Sequence, residues 1–137
     1  MFAGRLNTPE RLKYVTSIVD RLPAIKFALY SYPKHYNSFL HMLDENYIPT
    51  FFNAYVSFIE TEEEMALAIN KSKIVINFTQ QGESSLNYRL FQTLACETFL
   101  VTDYRQEIES LFTLEKDLIA YNNLEEYLFY IEDYLHN

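Results

Sequence analysis

The side chains in this sequence best suited to chemistry are a few arginines set beside turns. Gly4-Arg5-Leu6 follows a short apolar start, and Arg11 stands a helical turn into the next segment. Further on, Asn87, Arg89 and Gln92 open a helical pattern that follows the polar run Thr79–Ser85. A guanidinium is a planar fork that grips phosphate oxygens two at a time. The free N–H groups at a helix start also attract anions. Arg5, Arg11 and Arg89 together carry enough charge to neutralise a diphosphate. Arg89 and Gln92 are three residues apart and so share a helix face. Taken singly, each arginine reads more simply as a solvated charge or as a partner of the many acids, and Glu83 in the polar run opposes an anion there. Residue types and spacing alone therefore stop at a candidate anion site.

Composition removes several other classes. The chain has 137 residues, 49% of them hydrophobic, which suffices for one domain with a real core. Eleven Lys and Arg against 19 Asp and Glu leave a net charge of −8, which argues against a nucleic-acid partner held by a basic face. Two glycines, Gly4 and Gly82, leave no glycine-rich dinucleotide fingerprint and no P-loop. One cysteine, Cys96, excludes an internal disulfide and a cysteine-cluster metal site, and it reads as a small packing residue. His35 and His41 are six apart and off a common helix face, and His136 is near the end, so all three read as solvated or capping groups. Asp44-Glu45 and Glu62-Glu63-Glu64 read as exposed helix ends. No apolar run approaches the roughly 18 residues of a membrane span, and the start has no signal-peptide pattern. The expectation is a soluble, intracellular protein. The 12 tyrosines and 11 phenylalanines read as the coding bias of an AT-rich genome rather than as a stacking surface.

Positioning those arginines requires alternating strands and helices. Met1–Arg5 reads as the end of a strand. Thr8-Pro9-Glu10 is a helix start, with Thr as N-cap and Pro at the first helical position. Leu12, Val15, Val19 and Leu22 form the apolar stripe of that helix, and Pro23 stops it. Ile25–Ser31 reads as a buried strand and Pro33–Asn46 as a helix with Tyr36, Phe39, Leu40 and Leu43 apolar. Tyr47–Phe58 is ambiguous, with a short strand near Ala54–Ser57. Thr61-x-x-Glu64 is a capping box whose helix turns Met65, Ala68, Ile69 and Ser72 inward. Lys73–Thr79 is a near-continuous apolar run of the kind found centrally in parallel sheets. A helix over Leu86–Cys96 follows, with Leu86, Leu90, Phe91 and Leu94 inward. Then come a strand at Thr98–Thr102, a short helix at Gln106–Phe112, a strand at Asp117–Tyr121 and a last helix opened by Asn123-x-x-Glu126. That helix sets Leu124, Leu128, Ile131 and Leu135 on one face. This alternation predicts an α/β fold, a Rossmann-like parallel sheet with helices on both faces. Ligands then belong beyond the carboxyl ends of the strands.

The stretch KSKIVINFTQQGESSLNYRLFQTLACETFLVTDYRQEIESLF, followed by DLIAYNNLEEYLFYIEDYL, resembles the C-terminal domain of GT-B glycosyltransferases, in the CgeB-like, group 1 type branch. That pattern runs Asn-x-Arg-x-x-Glu-x-x-Ala-Cys-Gly, then an apolar strand and Asp, and Asn87, Arg89, Ala95, Cys96 and Asp103 match it. The opening FAGRLNTPERL is similar to the Gly-Arg-Leu segment that begins the donor domain of related enzymes, with Arg11 where a Lys is usual. The resemblance implies a single nucleotide-sugar-binding domain over residues 1–137, half of a two-domain, bacterial-type enzyme. Arg5 and Arg11 would bind the diphosphate, and Asn87 and Arg89 would line the nucleotide or phosphate pocket. No metal or other cofactor is implied. Positive side chains and helix dipoles would stabilise the leaving diphosphate instead. Two positions depart from the pattern. Gln92 replaces a Glu that accepts ribose hydroxyls, so a charge-assisted bond is lost. Glu97 replaces a Gly, which strains the backbone if that position needs a positive φ.

The resemblance also places the acceptor site, and any catalytic base, on an N-terminal half. No catalytic residue is therefore assigned, and the chain alone is expected not to turn over. Tyr127, Tyr130 and Tyr134 are candidates to pack on that missing half. The expected location is cytoplasmic, peripheral to a membrane in the full-length enzyme. Two rival readings remain open at this point. One is a non-catalytic relative serving as a binding or assembly module, supported by Gln92 and Glu97. The other is an unrelated flavodoxin-like regulatory domain, which would want acids where Gly4-Arg5 stands.

Overall fold

The computed structural model describes residues 1–79 and 86–136. The polar run after Thr79, read above as a phosphate loop containing Gly82 and Glu83, lies outside them. The described chain is α/β, with parallel sheets and seven α-helices. It divides into two compact units, Met1–Met65 and Ala66–Asn137. Each holds a three-stranded parallel sheet joined by helices, the pattern of a mononucleotide-binding βαβαβ half. Among the described residues no helix is long and apolar enough to cross a membrane.

In the first unit the sheet runs β1 (Phe2–Ala3), β2 (Leu29–Tyr30), β3 (Tyr55–Ser57), all parallel. Its strands are shorter than the apolar run Ile25–Ser31 predicts. A strand lasts only as long as its neighbours pair with it, and β1 ends where Gly4 turns the chain at φ +138°. That φ favours glycine, since an L side chain is strained there. β1 gives way to helix α1 (Pro9–Arg21). Thr8 caps it as expected, accepting the Arg11 N–H at 3.2 Å. Its buried stripe is Tyr14, Val15 and Ile18, however, with Leu12, Val19 and Leu22 only half-buried.

Helix α2 (Pro33–Met42) stops four residues short of the expected end. A 3-10 turn at Glu45–Tyr47 follows, and then a helix that the ambiguous stretch did not reveal, α3 (Ile48–Ala54). Phe51 of α3 is fully buried, with T-shaped contacts to Phe39 (5.2 Å) and Phe27 (5.9 Å). These aromatic contacts bury large area with favourable edge-to-face geometry.

The capping box at Thr61 and Glu64 opens α4 (Glu62–Asn70). The Glu64 N–H donates to Thr61 Oγ1 at 3.1 Å, while the Glu64 carboxylate accepts the Glu60 N–H at 3.0 Å. Met65, Ala68 and Ile69 are buried, as the pattern predicts.

The second unit's sheet runs β4 (Ile74–Asn77), β5 (Phe99–Asp103), β6 (Ile119–Tyr121). β4 is buried at every position, as its apolar run demands, but the middle strand of this sheet is β5. Helix α5 (Tyr88–Ala95) packs on β4 and β5. Leu90 is its fully buried anchor, whereas Phe91, expected inward, is 41% exposed with its ring 6.1 Å from Phe112. α5 ends in a Schellman motif, with Glu97 N–H on the Leu94 carbonyl (3.0 Å) and Thr98 N–H on the Thr93 carbonyl (3.3 Å). This motif needs a left-handed residue after the cap, and Glu97 takes it at φ +55°. After β5 come α6 (Gln106–Leu111), β6 and α7 (Leu124–His136). Asn123 caps α7 by accepting the Glu126 N–H at 2.9 Å.

Tyr127 of α7 corrects one expectation. Tyr127 is fully buried inside its own unit, edge-on to Tyr121 at 4.9 Å. Tyr134 stacks on Phe99 of β5 at 3.8 Å, and Tyr130 donates to Glu115. The Tyr127 ring serves the local core, because α7 packs on β5 and β6, whereas Tyr134 stays 43% exposed.

Candidate functional site

The expected ligand position in a parallel α/β unit is the rim at the carboxyl ends of its strands. In the first unit that rim is cationic. The Gly4 N–H donates to the Tyr30 carbonyl at 2.9 Å, so the turn leaves β1 directly beside the end of β2. Arg5 follows on the surface. Arg11, on the first turns of α1, donates from Nη1 to the Arg5 carbonyl at 2.8 Å. The two arginines that the sequence singles out are therefore tied together, with the Arg11 guanidinium bracing the backbone that presents Arg5. His35, in the first turns of α2, belongs to the same rim. Partial burial, then the nearby Arg5 and Lys34 charges, hold its pKa below the usual 6.5.

In the second unit the rim is built from a hydrogen-bonded polar ladder. Asn77, at the end of β4, donates from Nδ2 to Asn87 Oδ1 (3.0 Å) and to Thr102 Oγ1 (3.0 Å). Asn87 returns a bond from Nδ2 to Asn77 Oδ1 (2.9 Å) and gives another to the Phe78 carbonyl (3.1 Å). Its Oδ1 also accepts the Leu90 N–H as the N-cap of α5. Both amide hydrogens and the oxygen of Asn87 are thus engaged within the unit. The residue pins the start of α5 to the end of β4, which is how buried polar side chains avoid a desolvation cost.

Arg89 and Gln92 do share a face, and they touch. Arg89 Nε donates to Gln92 Oε1 at 3.2 Å. The Gln92 carbonyl oxygen therefore already accepts a bond within the unit. Burial draws the pKa of Arg89 below the usual guanidinium value, which marks a guanidinium held partly out of water.

A group that the sequence reading did not assemble lies beside this ladder. Asp103, at the end of β5, accepts the Thr79 backbone N–H at 2.8 Å, the Thr79 hydroxyl, and the Thr102 hydroxyl at 3.2 Å. Arg105 donates from Nε to Thr79 Oγ1 at 2.6 Å, and its Nη2 lies 3.5 Å from Asp103. Asp103 was visible as a match to a pattern. Arg105 gave no signal, because a charged residue just after a strand is ordinary in sequence. It acquires a place only when β4 and β5 pair in parallel and bring Thr79 alongside it. Among the described residues no cluster of three or more His, Cys, Asp or Glu side chains is placed to hold a metal ion.

Arg5 and Arg11 lie in the first unit, and Asn87, Arg89 and Gln92 in the second. Comparison with known proteins adds one match: a family model described as glycosyl transferase-like covers residues 11–137. Arg11 is the first residue matched, and Arg5 stands ahead of the matched segment. No curated protein and no solved structure matches the chain.

Proposed function

This chain belongs to the glycosyl transferase-like family, and on that premise we propose that it is a donor domain that holds a nucleotide-diphosphate sugar. Arg5 and Arg11 would grip the diphosphate. On the second unit's own rim, Arg89 would offer a further cation to a phosphate, with Gln92 beside it and Asn87 holding the start of α5. As the glycosidic bond to the diphosphate breaks, negative charge grows on the leaving phosphate. Fixed guanidinium groups stabilise that charge without reorganising, and in a forked geometry that suits phosphate oxygens.

The observation that supports this most is the bracing of Arg5. A left-handed glycine turns the chain at the carboxyl end of a parallel strand, and Arg11 donates to the carbonyl of the residue so presented. The bond holds the Arg5 main chain beside the Arg11 guanidinium, so two cations start from one short stretch of this rim. The test is a calorimetric titration of the full chain with UDP, GDP and ADP. Binding of at least one is expected, and Arg5→Ala should weaken it by about 1.5–3 kcal/mol, the scale of a lost hydrogen bond to a charged group. Silence at millimolar concentration of all three overturns the proposal.

A second reading has its own support, in the Arg89 to Gln92 bond. A donor site that keeps its arginines but has a neutral, already bonded side chain toward the ribose would suit a binding module without turnover. That reading expects nucleotide binding and no sugar release from any donor tested, even in the full-length context.

A further inference from the structure

Three aromatic rings crowd the rim of the first unit, and composition alone gave no reason to notice them. Tyr32 comes two residues after β2 ends and Phe58 one residue after β3 ends. The two strands are paired in parallel, with Tyr30 opposite Ser57 and the Ser31 N–H on the Ser57 carbonyl at 3.0 Å. Both rings therefore emerge side by side from the carboxyl edge. They stack with centroids 5.6 Å apart and planes 26° apart, and His35 sits edge-on to Tyr32 at 6.1 Å. Tyr32 nevertheless remains 55% exposed and Phe58 38%. The N–H groups opening α2 do not account for Tyr32, since it caps that helix without any side-chain hydrogen bond.

Phe52, Tyr88 and Phe129 are exposed too, but Tyr32 and Phe58 form a stacked pair at the carboxyl ends of parallel strands, the edge where an open α/β sheet takes its ligand. We propose that Tyr32, backed by Phe58, is a stacking platform for the nucleobase of the bound nucleotide, with Arg5 of the same rim on its phosphates. The inference rests on the donor reading above and deepens it by assigning the base to the first unit. Every nucleobase offers a flat π face, and stacking on an aromatic side chain accepts any of them. The Gly4 N–H donates to the Tyr30 carbonyl at 2.9 Å, so Arg5 leaves β1 alongside the strand end that leads into Tyr32.

The test is calorimetry on the full chain, its Tyr32→Ala and Tyr32→Phe variants, and Phe58→Ala as a second probe of the same platform. Each is titrated with nucleoside diphosphates, with uridine and adenosine, with inorganic pyrophosphate and with a methyl glycoside. The proposal expects Tyr32→Ala to lower nucleoside diphosphate affinity about 5- to 150-fold, the range that base stacking spans, with Tyr32→Phe near wild type. Pyrophosphate affinity should not change. If Tyr32→Ala binds nucleoside diphosphates as wild type does, the platform is overturned while the donor reading stands. If nucleosides bind through Tyr32 but pyrophosphate does not bind at all, the diphosphate grip fails and the platform stands. If the methyl glycoside, and not the nucleosides, depends on Tyr32, the rings hold a sugar and the proposal is wrong. Absence of all nucleotide binding to wild type overturns both.

Discussion

Replacing Glu97 with glycine should stabilise the protein. Glu97 occupies the left-handed position of the Schellman motif that ends α5, at φ +55°. An L side chain there costs about 1–2 kcal/mol through the clash of its Cβ with the following carbonyl. Glycine removes that clash but gives the unfolded chain more freedom, which offsets about 0.4–1 kcal/mol. The net expectation for Glu97→Gly is a gain of about 0.5–1 kcal/mol. Unfolding entropy near 60 °C is about 2.1 cal/mol/K per residue, so over this chain the gain raises Tm by about 2–3 °C. Glu97→Ala is the control. It removes the same negative charge from the carboxyl end of the helix but keeps a Cβ, so any benefit from relieving the helix dipole appears in both variants. The assay is thermal unfolding followed by circular dichroism, with all three proteins side by side. If Glu97→Gly is no more stable than Glu97→Ala, the left-handed backbone is not the source of strain and the reasoning fails.

Two further outcomes follow from the polar geometry. Asn87→Ala removes the cap of α5 and leaves the buried Asn77 amide without two of its bonds, so urea denaturation should show a loss of about 2–4 kcal/mol; a loss near zero would mean that the amide pair does not hold β4 to α5. His35 has a folded pKa below its unfolded value, so the unfolded state takes up the proton first and stability declines as pH falls through 6.5 toward the folded value. Arg5→Ala removes one cause of that depression, and the His35 imidazole resonances should then titrate at higher pH by NMR; an unchanged titration would place Arg5 away from His35.

The elements most legible in the sequence are those whose signals are local. Thr8-Pro9, Thr61-x-x-Glu64 and Asn123-x-x-Glu126 each open the helix they predict, because a cap is a bond between near neighbours. Within the run Lys73–Thr79, Ile74–Asn77 becomes β4, because a nearly apolar strand is driven inside and its one polar residue there, Asn77, is hydrogen-bonded. The misreadings occur where a partner decides. Ile25–Ser31 forms only a two-residue strand because β1 is cut short at Gly4. Phe91 lies outward because Leu90 and Thr93 take the buried face of α5, and Tyr127 lies inward because Tyr121 is there to receive it. α3 was obscured by a stretch of aromatic and β-branched residues with no clear period.

The candidate site shows the same division. Arg5, Arg11, Asn87, Arg89 and Gln92 were legible as residues, through turns and helix starts. Their bonds were not, since the Arg11 bond to the Arg5 carbonyl and the Asn77–Asn87 amide pair depend on how elements pack. The positive φ at Glu97 was legible only through the resemblance, whose pattern has glycine at that position. Arg105 and the Tyr32–Phe58 pair were invisible because each is assembled by parallel strand pairing across 26 residues or more of chain.

The measurement that bears most directly on the central claim is an amide chemical-shift map of the full chain titrated with a nucleoside diphosphate. The account predicts concentration-dependent shifts at Gly4, Arg5 and Tyr32 on the first unit's rim. No shifts at millimolar ligand, or shifts confined to surfaces away from both rims such as the outer face of α7, would contradict it.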